Sequence, residues 1–87
     1  MKDVRIYYTP EFQKLWRKIP VSIKEKAIKK EKLFRQNPFS PQLKTHKLKG
    51  ILDGNYSFSI DYHYRIVFHY EGKNVYFDAI GTHEIYQ

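Results

Sequence analysis

The chain contains no cysteine, and this absence excludes several kinds of chemistry at once. Disulfides, thiolate metal sites and thiol nucleophiles are impossible, and such a composition is typical of a reducing compartment. Long hydrophobic runs are also lacking, because no apolar stretch approaches the roughly 20 residues that a membrane-spanning helix needs. We therefore expect a cytoplasmic protein with no membrane segment.

Recognisable cofactor and metal motifs are lacking too. The four histidines follow no ligand spacing, and there is no His-Glu-x-x-His pattern. A P-loop, a dinucleotide-binding fingerprint and a Gly-x-Ser-x-Gly elbow are also absent from the sequence. We expect neither a metal nor a small-molecule cofactor.

Acidic residues are scarce relative to basic ones. Nine Asp and Glu stand against sixteen Lys and Arg, which gives a formal net charge of +7. A net positive charge of this size on so short a chain indicates a polyanionic partner, either nucleic acid or an acidic protein. The alternative is a lysine-rich surface that only keeps a small protein soluble.

The length of 87 residues predicts one domain spanning residues 1–87. So short a chain buries only about 60 to 65% of its unfolded surface, so each core residue matters. Eight Tyr, six Phe and one Trp predict a core rich in aromatic rings.

The second half of the chain reads as three consecutive strands. Residues Tyr56–Tyr62 and Tyr64–Tyr70 alternate between apolar and polar side chains, the period of a half-buried strand. A short polar break around Gly72 suits a hairpin, and Val75–Ile80 is rich in strand-forming residues. One face of this meander is apolar, and the other holds an arginine, histidines and hydroxyl groups.

The first half predicts a strand at residues 2–8 followed by two helices. Thr9 and Pro10 are typical of a helix start, and a second helix is expected over Val21–Gln36, before Pro38. Trp16 has the spacing of a core residue, although stacking on a base is an alternative. The order β-α-α-β-β-β predicts an α+β fold, with a small, mainly antiparallel sheet and a two-helix hairpin packed on one face.

Basic side chains concentrate in two places. The second helix carries a row of lysines that includes Lys29 and Lys30, and the following loop carries Lys44, Lys47 and Lys49. Their density suits contact with phosphates, and a solvated helix face is the alternative for the helical lysines.

Three local motifs carry a resemblance to a known family. They are His46-Lys47-Leu48-Lys49-Gly50 with Gly54, then Tyr64-Arg65-Ile66-Val67-Phe68, and finally Gly81-Thr82-His83-Glu84-Ile85-Tyr86. In this order the chain resembles the RelE/ParE superfamily of bacterial toxins from type II toxin–antitoxin systems. The resemblance is nearest to the RelE-like mRNA interferases, which implies endoribonuclease activity on the ribosome and a cognate antitoxin partner.

RNA cleavage by internal attack of the 2′-hydroxyl has three requirements. A base takes the hydroxyl proton, a cation stabilises the phosphorane charge, and an acid protonates the departing 5′-oxygen. Histidine titrates near neutrality and arginine offers a fixed fork of donors for phosphate, so these two residue types suit the chemistry.

The resemblance implies roles for particular residues. Arg65 would contact the scissile phosphate, His83 would transfer a proton, and Tyr86 would stack on the substrate. His46 and His63 are candidates for the second proton-transfer group, while His69 is expected to be structural. For each candidate a structural role is the alternative, such as a strand arginine paired with a carboxylate or a solvated turn histidine.

Two other functions stay open on the sequence alone. One is a ParE-like toxin that inhibits DNA gyrase without cleaving RNA, against which the terminal His83 argues. The other is a binding module that acts only together with its antitoxin on operator DNA.

Overall fold

The computed structural model describes residues 4–50 and 54–86, and only the backbone of Tyr86. In chain order its elements are β1 (Arg5–Tyr8), α1 (Pro10–Trp16), α2 (Val21–Gln36), a first 3₁₀ helix (Pro41–Leu43), β2 (His46–Lys47), β3 (Tyr56–Ser59), β4 (Arg65–Glu71), β5 (Asn74–Gly81) and a second 3₁₀ helix (His83–Tyr86). The predicted order is confirmed, with β2 as an addition. Residues 2 and 3, where the first strand was predicted to begin, lie outside the described part.

The five strands form one sheet in the order β1-β5-β4-β3-β2. Strands β2 to β5 pair antiparallel with their neighbours, whereas β1 pairs parallel with β5. A parallel pair needs a long crossover, and the two helices belong to the segment that connects β1 to the rest of the sheet. The α+β class and the mainly antiparallel sheet are therefore confirmed.

Both helices begin where local chemistry predicts. The side chain of Thr9 accepts a hydrogen bond of 3.1 Å from the backbone N–H of Phe12, and Pro10 occupies the first turn of α1. Such a cap satisfies a backbone donor that has no partner within the helix. Helix α2 begins after Pro20 and ends at Gln36, where Asn37 turns extended ahead of Pro38. No helix within the described ranges has the length and apolar character that crossing a membrane requires.

The core is centred on the ring of Phe34, which belongs to α2 and packs against the sheet. Its centroid lies 4.9 Å from those of Phe58 and Phe68 and 5.4 Å from that of Phe77. Phe34, Phe58 and Phe68 are completely buried. Trp16 is partly buried against this core, as predicted, and its ring stacks on Phe12.

The sheet face turned away from this core carries the polar side chains. Arg65 and His69 alternate along β4 with the buried Ile66 and Phe68, so both point to this second face. A bulge in β5 leaves Asp78 without a partner in β4, because Val67 pairs with Ala79 and Phe68 with Phe77. Strand β3 ends at Ser59, earlier than the predicted Tyr62, because the residues from Ile60 onward turn toward β4.

Candidate active site

Two predicted residues meet at one end of the second sheet face. Arg65 begins β4 and lies directly opposite Gly81, the last residue of β5, so that His83 follows within two residues. The Nη2 atom of Arg65 lies 3.3 Å from the Nε2 atom of His83. Because a guanidinium has only donors, Nε2 accepts in this contact, and a neutral imidazole then carries its proton on Nδ1.

Ser59 completes this group. It lies opposite Arg65 in the pairing of β3 with β4, and the Nη1 atom of Arg65 donates to its hydroxyl oxygen. The guanidinium is therefore held between Ser59 on one side and His83 on the other. Arg65 is half-buried and His83 exposed, so the pair faces a surface that a substrate can reach. The sequence showed Ser59 only as a polar strand residue, because its contact depends on the strand register.

Gly81 allows the second 3₁₀ helix to fold back over the sheet. A Cβ atom placed on Gly81 would lie 2.5 Å from Cγ2 of Ile85, far inside van der Waals contact. The turn between them is fixed by a 3.0 Å hydrogen bond from the N–H of Ile85 to the carbonyl of Thr82. Because glycine has no side chain at position 81, Ile85 can pack close to the backbone there, and the segment that carries His83 lies close to the end of β5.

We expect Gly81→Ala to reduce activity more than stability. The added methyl group pushes Ile85 outward and moves His83 away from Arg65, and a displacement of about 1 Å can cost 10²-fold in rate. The double variant Gly81→Ala with Ile85→Ala should recover most of the rate. Single-turnover rates of the RNA cleavage expected from the sequence, measured for the three proteins with Ile85→Ala as the control, test this. An unchanged rate in Gly81→Ala would contradict it.

Two other predicted catalytic residues, His46 and His63, lie on other elements of the fold. His46 is exposed in β2, where it pairs with Ser57, and Ser57 precedes Ser59 by two positions in β3. The Nδ1 atom of His46 lies 3.1 Å from the carbonyl of Lys44. His63 is exposed in the turn after β3, where its ring meets the edge of Tyr62 at 5.0 Å. The backbone of Tyr86 closes the second 3₁₀ helix, and its side chain lies outside the described part.

The structure divides the predicted RNA-binding lysines. Lys30 and Lys44 line a cavity of about 370 Å³ together with Arg65, whereas Lys29 is exposed on α2. Neighbours in a strand point to opposite faces, so Lys47 points away from the face of His46. Lys49 is exposed beyond β2. Of the five lysines, Lys30 and Lys44 thus line the cavity beside Arg65.

His69 belongs to a separate cluster farther along the second face. Its Nδ1 lies 2.6 Å from Oδ2 of Asp78 and its Nε2 lies 2.9 Å from Oε2 of Glu71. The ring also stacks on Tyr76, with centroids 5.2 Å apart. Partial burial lowers the pKa of His69, but the hydrogen bonds to Glu71 and Asp78 outweigh burial and raise it above its usual value.

The raised pKa of His69 predicts a pH-dependent contribution to stability. Such a group stabilises the fold fully below its unfolded pKa, and that stabilisation is lost as the pH rises through the folded pKa. The free energy of unfolding that His69→Gln removes should therefore be larger at about pH 5.5 than at about pH 9. Urea denaturation at both pH values measures it, with His63→Gln as a control. Equal losses at both pH values would refute the prediction.

Within residues 4–50 and 54–86, no group of three His, Asp or Glu side chains has an arrangement that could hold a metal ion. The chemistry that the site can provide with its own side chains comes from a guanidinium in contact with an imidazole. Such a pair can bind an anion and move a proton beside it.

Comparison with solved structures shows the same fold in several bacterial toxins. The YoeB/ParE toxin from Agrobacterium tumefaciens is 20% identical, with a TM-score of 0.72 over 91% of this chain and 98% of that one. The YoeB dimer from Staphylococcus aureus is 21% identical, with a TM-score of 0.72 over 93% and 98%. The DinJ–YafQ toxin–antitoxin complex of E. coli gives 19% identity and a TM-score of 0.72 over 95% and 96%.

Comparison with curated protein sequences gives no significant match. Comparison with family models does give one: the ParE-like toxin domain matches residues 21–87, which include both helix α2 and the strands that position Arg65 and His83. The match agrees with the resemblance to the RelE/ParE superfamily found in the sequence motifs. The chain therefore belongs to the family of ParE-like toxin domains.

Proposed function

We propose that residues 1–87 form a single toxin domain of a type II toxin–antitoxin system that cleaves messenger RNA on the ribosome, in the cytoplasm. One observation carries the proposal: the 3.3 Å contact between Arg65 Nη2 and His83 Nε2 on an accessible face of a strongly basic protein.

The reaction is an internal phosphoryl transfer. The 2′-oxygen attacks the adjacent phosphorus while the bond from phosphorus to the 5′-oxygen breaks, which leaves a 2′,3′-cyclic phosphate and a 5′-hydroxyl. Arg65 offers its donors to the phosphate oxygens as negative charge builds on them. When the phosphate replaces His83 as acceptor for the guanidinium, the Nε2 atom becomes available for proton transfer. His46 is the candidate for the second proton, because it lies on the same face.

A cleavage assay tests this function. The purified protein is mixed with a defined message in the presence and absence of ribosomes, and both product ends are identified. We expect cleavage only with ribosomes, with a cyclic or 3′-terminal phosphate and a 5′-hydroxyl. Intact message under both conditions would refute the proposal.

The second candidate is inhibition of DNA gyrase without cleavage of RNA. The family model is described as ParE-like, and that description is what favours this candidate. A supercoiling assay with purified gyrase decides between the two functions. If the protein abolished supercoiling by gyrase and left the message intact, gyrase inhibition would become the favoured function.

An antitoxin partner is part of the proposal. One structural neighbour is a toxin–antitoxin complex, and a net charge of +7 favours an acidic partner. An apolar cavity of about 510 Å³ between the helices, lined by Phe12, Trp16 and Ile28 among others, suits an amphipathic segment of that partner. Co-expression with the product of the adjacent gene should abolish toxicity and yield a stable complex.

A further inference from the structure

The cavity beside Arg65 has the features of a binding site for one more nucleotide. It is lined by residues from three parts of the chain, namely Lys30 of α2, Gln42 and Lys44 of the first 3₁₀ helix and its end, and Ser59, Ile60, Asp61, Tyr62 and Arg65 around the end of β3 and the start of β4. Its volume of about 370 Å³ lies within the range of small-ligand sites.

Three cationic side chains line the cavity. Lys30 belongs to α2, Lys44 to the end of the first 3₁₀ helix and Arg65 to the start of β4. Lys44 has a left-handed backbone conformation, with φ of 53°. Its N–H donates a hydrogen bond to the carbonyl of Pro41 and so stabilises this conformation. Three cations from separate elements around one hollow favour an anion, and phosphate is the anion that RNA supplies.

Asp61 also lines the cavity, and its carboxylate is unsuited to contact with phosphate. Asp61 accepts backbone hydrogen bonds of 2.9 Å and 2.8 Å from His63 and Tyr64, and Lys26 lies 3.6 Å from its carboxylate. Burial raises the pKa of Asp61, but these contacts lower the pKa by more than burial raises it. The pKa therefore lies below its usual value, and the carboxylate stays charged. We therefore expect a phosphate in the cavity to contact Lys30 and Lys44 and not Asp61.

Tyr62 gives the cavity an aromatic rim. Its side chain is 85% exposed, the highest value among the large hydrophobic side chains in the described part of the chain. The ring is positioned by the turn and by the edge contact with His63. An exposed ring beside a cationic hollow is the arrangement by which proteins bind single-stranded RNA, since a base stacks on the ring while the phosphate meets the cations.

We propose that this cavity binds the nucleotide next to the cleaved bond, with its phosphate at Lys30 and Lys44 and its base stacked on Tyr62, while Arg65 remains with the scissile phosphate. The inference rests on the proposed RNA cleavage and adds the path of the message to it. The strand would leave the site of Arg65 and His83 toward α2.

Binding to programmed ribosomes tests this path. The message carries a 2′-deoxynucleotide at the cleavage site, so that it binds without reacting. We expect Tyr62→Ala to weaken the message-dependent part of binding by about 5- to 150-fold, and Tyr62→Phe to restore it. Lys30→Gln should reduce the slope of log affinity against log salt by about 0.7, whereas Lys32→Gln, an exposed lysine of the same helix, is the control.

Modified messages separate this contact from contacts with ribosomal RNA. An abasic nucleotide is placed on either side of the cleavage site and combined with Tyr62→Ala, and a methylphosphonate is combined in the same way with Lys30→Gln. On one side the two losses should not add, because each pair removes the same contact. Additive losses on both sides would overturn the inference while cleavage by the wild type stands. Absence of cleavage by the wild type would instead refute the proposed function.

Discussion

Replacing Arg65 with glutamine should reduce cleavage of ribosome-bound message by about 10²- to 10³-fold. The guanidinium donates to Ser59 and contacts His83, so its donors are already oriented before RNA binds. Glutamine keeps a similar length and some donors but removes the positive charge that opposes the phosphorane. The loss should appear in the single-turnover rate constant rather than in the affinity for programmed ribosomes.

Two further variants make the Arg65 test specific. Arg65→Lys keeps the charge but not the fork, so we expect it to recover only part of the rate. Arg17→Gln removes an exposed arginine at the end of α1 and should leave the rate unchanged. If Arg65→Gln cleaved as fast as Arg17→Gln, the guanidinium would have no catalytic role, and the interpretation of the whole site would be wrong.

Replacing Phe34 with alanine should lower the free energy of unfolding by about 3 to 5 kcal/mol. The ring is fully buried and packs against three other phenylalanine rings from three different strands. A domain of this size is stable by only about 5 to 15 kcal/mol, so the variant would lose a large part of its stability.

Phe39→Ala is the matched control for Phe34→Ala. Phe39 is 51% exposed, and its ring meets that of Tyr56 edge-on with centroids 5.8 Å apart, so its loss should cost about 1 kcal/mol or less. Urea denaturation followed by tryptophan fluorescence measures both variants. Similar midpoints for the two would show that the core is not centred on Phe34.

Much of the fold could be predicted because its elements follow local rules. The cap at Thr9, the bounds of α2 and the alternation in the last three strands all depend on neighbouring residues. Strand β2 was missed because two residues are too few for a periodic pattern. The parallel pairing of β1 with β5 could not be read from either strand, since nothing in a strand's own sequence specifies a partner at the far end of the chain.

The candidate site was predictable in part for the same reason. Arg65 and His83 were singled out by motifs, and the register of β4 with β5 brings them together. The contact of Arg65 with Ser59 depends on the register between β3 and β4, and the placement of the lysines depends on how the elements pack. Neither can be read from the composition of a single loop. Asp61 offered a signal for the early end of β3, because aspartate readily binds nearby backbone N–H groups.

The parallel pairing of the first strand with the last has a consequence for synthesis. Residues Arg5–Tyr8 are made well before their partner in β5, because Arg5 pairs with Asn74, which lies 69 positions later in the chain. Contacts this distant in the chain form late, because the intervening segment must be ordered first. The sheet of a nascent copy therefore stays incomplete until β5 has left the exit tunnel, so the site that β5 helps to position cannot form before then.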